Sequence, residues 1–348
     1  MTISWQHPLC RLVSRFGSTA KPCYASGKAV AEFRLKRNLR ENCRMPETAK
    51  PRVAVIGLGS MGFGMAASLR RAGFDVTGCE VSPEIVARFV ADGGKAAKTP
   101  AEAARDADVV VSVVLNAAQT EAILFGKDGV AETLAKNAVV VSCATMDPDS
   151  ARRLSKQLEA TGRHYLDAPI SGGAQRAAQG ELTILASGSA AAFAKARPVL
   201  DAMAAKLYEL GDVAGLGAAF KMVNQLLAGV HIAVASEAIT FAAKQGLDLQ
   251  KVYEVITASA GNSWMFENRM PHVIAGDYKP RSAVEIFVKD LGIVQDMARS
   301  ARFPAPLASA ALQMFLMASA SGMGRDDDAS VARLYARIGA AELPGKVK

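Results

Sequence analysis

From Arg52 onward, short β-branched runs alternate with amphipathic helical stretches. This pattern is typical of a parallel sheet covered by helices on both faces. Five runs are predicted to form successive strands: Val53–Ile56, Val76–Cys79, 109–113, Val139–Ser142 and His164–Asp167. Two more, Leu182–Ala186 and 206–210, are expected to extend the same sheet.

The alternation stops after Gly211, and from about Gly215 apolar residues recur every three or four positions. Helices are therefore predicted at 221–245, 249–258, 283–301 and 309–320. The expected fold class is α/β, with an N-terminal Rossmann doubly wound sheet followed by an all-helical C-terminal domain. The expected domains are a basic leader at 1–50, a sheet domain at 51–212 and a helical domain at 213–345, with a site between the last two.

The basic charge of the chain is concentrated in its first 44 residues. The formal net charge is +8, and this segment holds nine Lys or Arg residues against Glu32 and Glu41. The remainder is nearly neutral, so no nucleic-acid partner is expected. The leader is predicted to be disordered, or to lie upstream of a translation start at Met45; a targeting or nucleic-acid-binding arm is the alternative.

Cysteine usage and hydropathy set further limits. Of the five cysteines, only Cys79 and Cys143 fall outside the leader, and their spacing indicates neither disulfides nor a metal site. A reducing, cytoplasmic location is expected. The most apolar stretches are interrupted by Lys, Asn, Glu or His, so no membrane partner is expected.

A glycine-rich string directly follows the first predicted strand and opens a helix. Gly57 permits a tight turn, Gly59 allows backbone to approach a pyrophosphate, and Gly62 allows the helix to pack on the strand. The helix N-terminus attracts phosphate. The predicted dinucleotide-binding residues are Ile56, Gly57, Leu58, Gly59, Ser60, Met61 and Gly62.

An acidic residue ends the second predicted strand. Glu80 follows Gly57 at the spacing where a carboxylate meets the adenosine ribose hydroxyls. A carboxylate repels a 2′-phosphate, and neither Val81 nor Ser82 is basic. NAD is therefore the expected cofactor, in preference to NADP.

Three polar residues share one face of the long helix that follows Gly215. Lys221 stands three and four positions before Asn224 and Gln225. Enclosure in a cleft lowers the pKa of a lysine toward the range useful for proton transfer. The alternative is a lysine that extends to solvent.

Four blocks follow one another along the chain: GLGSMG at 57–62, DAPISGG at 167–173, the glycine-rich stretch leading to Lys221 and Asn224, and KDLG at 289–292 with Asp296. In this order they resemble the β-hydroxyacid dehydrogenase family, to which 3-hydroxyisobutyrate dehydrogenase is related. The resemblance covers about 51–340 and implies that Lys221 is the catalytic acid/base. It assigns the substrate carboxylate to Ser171, Gly172 and Gly173, and substrate orientation to Asn224.

The resemblance also places Lys289 and Thr145 at the nicotinamide end of the cofactor. Lys289 and Asp296 are seven apart, two helical turns on one face, which predicts an inward-facing pair. Many family members have a second Asn where this chain has Gln225.

The substrate implied is a small sugar acid oxidised at C2, since segments 224–231 and 259–269 resemble members that act on such acids. Asn262, Ser263 and Asn268 are candidate contacts for its hydroxyls, whereas Trp264 and Phe266 are candidate core or dimer-contact aromatics. A homodimer or homotetramer is expected.

Three other functions are weighed against this one. Another hydroxy acid of the family, of the 3-hydroxyisobutyrate or tartronate semialdehyde type, is the first alternative. A non-catalytic nucleotide-binding protein is the second. An imine reductase would share the fold but replace the lysine, so Lys221 argues against it.

Overall fold

The computed structural model describes residues 50–345, and the predictions made for the leader lie outside that range. Nine strands and fourteen α-helices are assigned in these residues. The strands are β1 Val53–Ile56, β2 Val76–Cys79, β3 Lys95–Ala97, β4 Val109–Ser112, β5 Val139–Ser142, β6 His164–Asp167, β7 Ile170–Ser171, β8 Leu182–Ala186 and β9 Ala204–Glu209.

The helices of the first part alternate with these strands. They are α1 Gly62–Arg71, α2 Pro83–Ala91, α3 Pro100–Ala104, α4 Ala117–Phe125, α5 Val130–Thr133, α6 Pro148–Glu159, α7 Gly173–Gln179 and α8 Ala190–Met203. The later helices follow one another: α9 Leu216–Lys244, α10 Leu249–Thr257, α11 Trp264–Ala275, α12 Val284–Ser300, α13 Pro306–Ala318 and α14 Val331–Gly339. The expected fold class is confirmed.

Six parallel strands form the main sheet in the order β3-β2-β1-β4-β5-β6. β1, β4 and β5 read VAVI, VVVS and VVVS, and every residue in them is buried. Continuous apolar runs are required here because helices cover both faces of the sheet. The strand order reverses between β1 and β4, and ligands of such sheets bind beside that point at the carboxyl ends of the strands.

The prediction that 182–186 and 206–210 extend the main sheet was wrong. β8 and β9 belong to a separate three-stranded sheet, in which β7 pairs antiparallel with β8. β8 alternates buried and partly buried residues, and β9 is largely exposed. Strands with only one covered face cannot replace the fully buried runs of a doubly covered sheet.

The long helix α9 is the central element of the helical region. By length and composition it could span a membrane, and half of its most apolar window is buried inside the protein. Ile232 and Ile239 are fully buried, each in a separate apolar cluster with the surrounding helices. Such burial is typical of a core helix.

Candidate active site

The glycine loop lies at the carboxyl end of β1, and its three glycines are required for different steric reasons. Gly57 has a φ of +90°, and a Cβ on Gly62 would lie 1.8 Å from the Gly57 carbonyl oxygen. A Cβ on Gly59 would meet nothing within 4 Å. Gly57 and Gly62 therefore need to be glycine for the fold, whereas Gly59 borders open space that suits a pyrophosphate.

The other residues of the predicted cofactor loop offer mainly backbone. Ile56 and Leu58 are buried, and Met61 packs against the core, whereas Ser60 is exposed. No side chain caps the N-terminus of α1. Helix amides at this end are thus suited to phosphate oxygens.

Glu80 is held directly against the glycine loop. One carboxylate oxygen accepts a hydrogen bond from the Leu58 amide at 2.8 Å, and the other accepts from the Val81 amide at 2.7 Å. These amides fix the carboxylate at the end of β2, one strand away from the loop. The geometry suits ribose hydroxyl binding and disfavours a 2′-phosphate.

Asp167, at the end of β6, supplies the N-terminal cap of α9. Its Oδ2 accepts from the Gly215 amide at 2.9 Å, from the Ala218 amide at 2.8 Å and from the Ser187 hydroxyl at 3.3 Å. α9 has no capping side chain at its own N-cap, Gly215. Burial raises the pKa of Asp167 to about 6, although these hydrogen bonds oppose the shift.

Lys221 lies on the second turn of α9 and is 6% exposed. Its Nζ donates to the carbonyl oxygen of Ile170 at 2.8 Å. Burial lowers the pKa of Lys221 from 10.5 to about 8; Asp290 opposes this shift and Lys289 adds to it. An amine with this pKa can exchange a proton near neutral pH.

The predicted carboxylate cradle begins at the residue after Ile170. Ser171 ends β7, and Gly172 and Gly173 have φ values of +138° and +77°. A Cβ on Gly173 would meet nothing within 4 Å. Lys221 is therefore hydrogen-bonded to the backbone immediately before a glycine turn with open space beside it.

A chain of buried and partly buried polar side chains extends from the same face of α9, and we call Asn224, Gln225, Asp290 and Lys289 the amide relay. Asn224 Nδ2 donates to Gln225 Oε1 at 2.9 Å. Gln225 Nε2 donates to Asp290 Oδ2, and Lys289 Nζ donates to Asp290 Oδ1. Asp290 is 1% exposed.

Thr145 and Lys289 are brought together across 144 positions of the chain. Lys289 Nζ lies 3.5 Å from the Thr145 carbonyl oxygen, in the loop that follows β5. The helical region thus reaches the carboxyl end of the main sheet at the position expected for the nicotinamide end of the cofactor.

The predicted pairing of Lys289 with Asp296 was wrong. The Asp296 side chain is 74% exposed and lies 3.5 Å from Arg299. Asp296 lies on the same side of α12 as Lys289 but about 10 Å further along the helix, where that side is exposed. Asp290 is the inward-facing partner of Lys289.

The candidate hydroxyl contacts in segment 259–269 are engaged locally. Asn262 donates to Thr257 and Glu267, the Ser263 hydroxyl caps α11, and Asn268 accepts from Arg269. α11 packs against residues 235–243 of α9, more than a dozen positions beyond Lys221. The structure does not place these three polar groups with the lysine. Phe266 is buried and Trp264 is 46% exposed.

Comparisons with known proteins agree with this geometry. Residues 52–211 match the NAD binding domain of 6-phosphogluconate dehydrogenase, and residues 215–335 match the model described as NAD-binding of NADP-dependent 3-hydroxyisobutyrate dehydrogenase. The chain is 52% identical to an L-threonate dehydrogenase of Cupriavidus necator over 85% of this chain and 99% of that protein. The chain belongs to the β-hydroxyacid dehydrogenase family.

Further members of the β-hydroxyacid dehydrogenase family are similar over nearly their whole length. An L-threonate dehydrogenase of Haemophilus influenzae is 50% identical, over 84% of this chain and 97% of that protein. The crystal structure of a 3-hydroxyisobutyrate dehydrogenase from Salmonella typhimurium is 49% identical, with a TM-score of 0.78, and is covered completely by 82% of this chain.

These findings make the chain an NAD-dependent hydroxy-acid dehydrogenase acting on a small molecule. The NAD cofactor is confirmed, and the non-catalytic alternative is set aside. The preference of the enzyme for NAD over NADP stays a prediction.

Sequence reasoning gave no separate role to Asp290 or Asp167, although both are central to the site. A signal for Asp290 existed, because it falls on the buried stripe of α12 formed by Val284, Phe287 and Leu291. A carboxylate at a core position needs a partner. No local pattern indicates that Asp167 caps a helix beginning 49 residues later.

Proposed function

We propose that this enzyme oxidises L-threonate at C2 to 2-dehydro-L-erythronate, with NAD preferred over NADP and Lys221 as the general acid/base. The observation that carries the mechanism is the buried Lys221 Nζ, 2.8 Å from Ile170 O and adjacent in the fold to Ser171. The L-threonate dehydrogenases at 52% and 50% identity support the choice of substrate.

In this mechanism the substrate carboxylate binds to Ser171, Gly172 and Gly173, where fixed backbone amides and a hydroxyl are suitable donors. Glu80 and the glycine loop would hold the adenosine end of the dinucleotide, and Thr145 and Lys289 would lie at its nicotinamide end. Bound NAD would supply the acceptor for the hydride that leaves C2.

Lys221 performs the proton transfer. As the neutral amine, its Nζ takes the proton of the C2 hydroxyl while the C2–H bond breaks and the C2–O bond becomes a carbonyl. The pKa of about 8 keeps part of the enzyme in the neutral form at physiological pH. Asn224, one turn away on α9, orients the substrate.

Activity on a panel of acids tests this assignment. Purified enzyme with NAD should give the largest kcat/KM for L-threonate, measured as NADH absorbance, and less for 3-hydroxyisobutyrate. Glycerate, the product of tartronate semialdehyde reduction, is tested in the same oxidising direction with NAD. A larger kcat/KM for either alternative would replace L-threonate as the substrate.

The remaining sequence predictions accompany this function. We propose a division into a 51–212 cofactor domain and a 213–345 helical substrate and dimerisation domain, a cytoplasmic location, and no nucleic-acid or membrane partner. A homodimer or homotetramer is supported by exposed apolar side chains along α9: Phe220, Val223, Leu227, Val234 and Phe241. Light scattering during size-exclusion chromatography measures the oligomer.

A further inference from the structure

The amide relay has a direction that is set by its single buried carboxylate. An ionised Asp290 can only accept hydrogen bonds. Its Oδ2 therefore requires the NH₂ group of Gln225, and its Oδ1 accepts from Lys289. Gln225 must then turn its carbonyl oxygen, Oε1, away from Asp290.

The orientation of the Gln225 amide in turn fixes the orientation of the Asn224 amide. The Oε1 atom of Gln225 needs a donor, and Asn224 Nδ2 lies 2.9 Å from it. Gln225 is 6% exposed, so water is a poor substitute for this partner. The Oδ1 atom of Asn224 is consequently the end of the relay that faces away from Gln225, and it is an acceptor.

An acceptor at Asn224 cannot serve the reacting hydroxyl. That hydroxyl has one proton, and the neutral Lys221 amine must receive it. The Asn224 oxygen needs the proton of a different hydroxyl. Lys221 and Asn224 are neighbours on one helix face, with Cβ atoms about 5–6 Å apart, so the hydroxyl adjacent to C2, on C3, is the nearest that fits.

We propose that Gln225 is a specificity-determining positioning residue, which turns the Asn224 amide so that its oxygen accepts the C3 hydroxyl proton of a polyhydroxy acid. This inference rests on the proposed function. It assigns the preference for a vicinal diol over a monohydroxy acid to a residue that does not itself touch the substrate. Asparagine at position 225 is one methylene shorter and could not span from Asn224 to Asp290 in the same way.

The first experiment compares three substrates of matching C2 configuration with the wild-type enzyme. They are L-threonate, 2,4-dihydroxybutanoate, which lacks the C3 hydroxyl, and 2,3-dihydroxybutanoate, which lacks the C4 hydroxyl. Loss of the C3 hydroxyl should lower kcat/KM roughly ten- to a hundredfold, because the acceptor is then left unpaired. Loss of the C4 hydroxyl should have a smaller effect.

The second experiment removes the relay. Gln225→Met has a similar length but no hydrogen-bonding group, and it should reduce the ratio of kcat/KM between L-threonate and 2,4-dihydroxybutanoate to within about threefold of one. The double exchange Gln225→Glu with Asp290→Asn restores an acceptor toward Asn224 and should recover most of the ratio. Gln295→Met is the matched control, because Gln295 pairs with Ser309 outside the site, and it should leave the ratio unchanged.

The outcomes separate the two proposals. No turnover of L-threonate by the wild-type enzyme overturns the proposed substrate. Turnover of L-threonate with an equal kcat/KM for the acid lacking the C3 hydroxyl overturns the role of the relay. A Gln225→Met enzyme that loses activity on both acids by the same factor has a merely structural glutamine, and this also contradicts the inference. If Gln225→Met does not fold, the double exchange alone decides the result.

Discussion

The side-chain nitrogen of Lys221 lies 2.8 Å from the carbonyl oxygen of Ile170, so a residue of the helical region is bonded to the backbone that leads into the glycine turn. Asp167 lies three positions before Ile170, and Ala218 lies three positions before Lys221. The Asp167 side chain accepts a hydrogen bond from the Ala218 amide at 2.8 Å. The segment from Asp167 to Ile170 therefore runs alongside the start of α9 and is bonded to it at two points.

Replacement of Lys221 tests the chemical step. Lys221→Ala should lower kcat about 10²–10⁴-fold, the usual contribution of a positioned acid/base. Lys221→Arg should fail as well, because guanidinium stays protonated and cannot accept the proton. NADH affinity, measured by fluorescence titration, should change little. Another residue would have to be the base if Lys221→Ala kept more than about a third of wild-type turnover, which is far above that range. This comparison requires that hydride transfer limits the rate.

The pH dependence follows from the lowered pKa of Lys221. Oxidation needs the neutral amine, so kcat/KM should rise with pH through about 8 and level off above it. Reduction of the 2-oxo acid needs the ammonium and should fall over the same range. Asp290 raises the pKa of Lys221 and Lys289 lowers it. The rise of kcat/KM for oxidation should therefore move to lower pH in Asp290→Asn and to higher pH in Lys289→Gln. Shifts of the same sign would contradict this electrostatic description.

Cofactor preference tests Glu80. The carboxylate held at Leu58 should favour NAD over NADP by at least about tenfold in kcat/KM, which corresponds to about 1.4 kcal/mol. Glu80→Ala should relax this preference, mainly through better use of NADP. Comparable kcat/KM values for both cofactors in the wild-type enzyme would show that Glu80 does not discriminate.

Two alanine substitutions separate the structural and binding roles of the glycine loop. Gly62→Ala places a Cβ 1.8 Å from a carbonyl oxygen and should sharply lower Tm or yield no soluble protein. Gly59→Ala meets nothing within 4 Å and should keep the wild-type Tm. It should nevertheless weaken NAD binding, because the methyl group occupies the space next to the phosphates. Wild-type NAD affinity in a folded Gly59→Ala enzyme would locate the pyrophosphate elsewhere.

The cap formed by Asp167 should give a pH-dependent stability. The pKa of Asp167 is raised to about 6, so the folded state holds the proton more tightly than the unfolded state. The contribution of Asp167 to the free energy of unfolding should therefore fall as pH rises from about 4 to about 6 and be constant above that range. Asp167→Asn keeps one acceptor oxygen and should remove this slope, whereas Asp167→Ala should cost about 1–3 kcal/mol from unpaired amides. Urea unfolding at several pH values measures both, and an unchanged slope in Asp167→Asn would assign it to another group.

The sequence predicted those features that depend on local periodicity or on a continuous motif. The buried strands β1, β4 and β5 are plain apolar runs, and the glycines from Gly57 to Gly62 belong to one continuous motif between β1 and α1. β3 was missed because it is three residues long and mostly exposed. α11 was missed because Pro271 interrupts it and its first residues were assigned to substrate contacts.

Long-range partners were beyond a linear pattern. The contact of Gln225 with Asp290 spans 65 positions, and its existence depends on how α9 packs against α12. The error at Asp296 has the same origin, because helical periodicity gives the direction of a side chain but not the place where the neighbouring surface ends.

The attachment of α9 to both the end of β6 and the start of β7 also has a mechanical consequence. The group expected to take the proton and the turn expected to hold the substrate share one support, since Asp167 and Ile170 belong to the same short segment. Rocking of the helical bundle would alter how water and reactants enter, yet the spacing between base and anchor would stay constant. Mutations far along α9 should therefore change access to the site while the distance between Lys221 and the glycine turn stays the same.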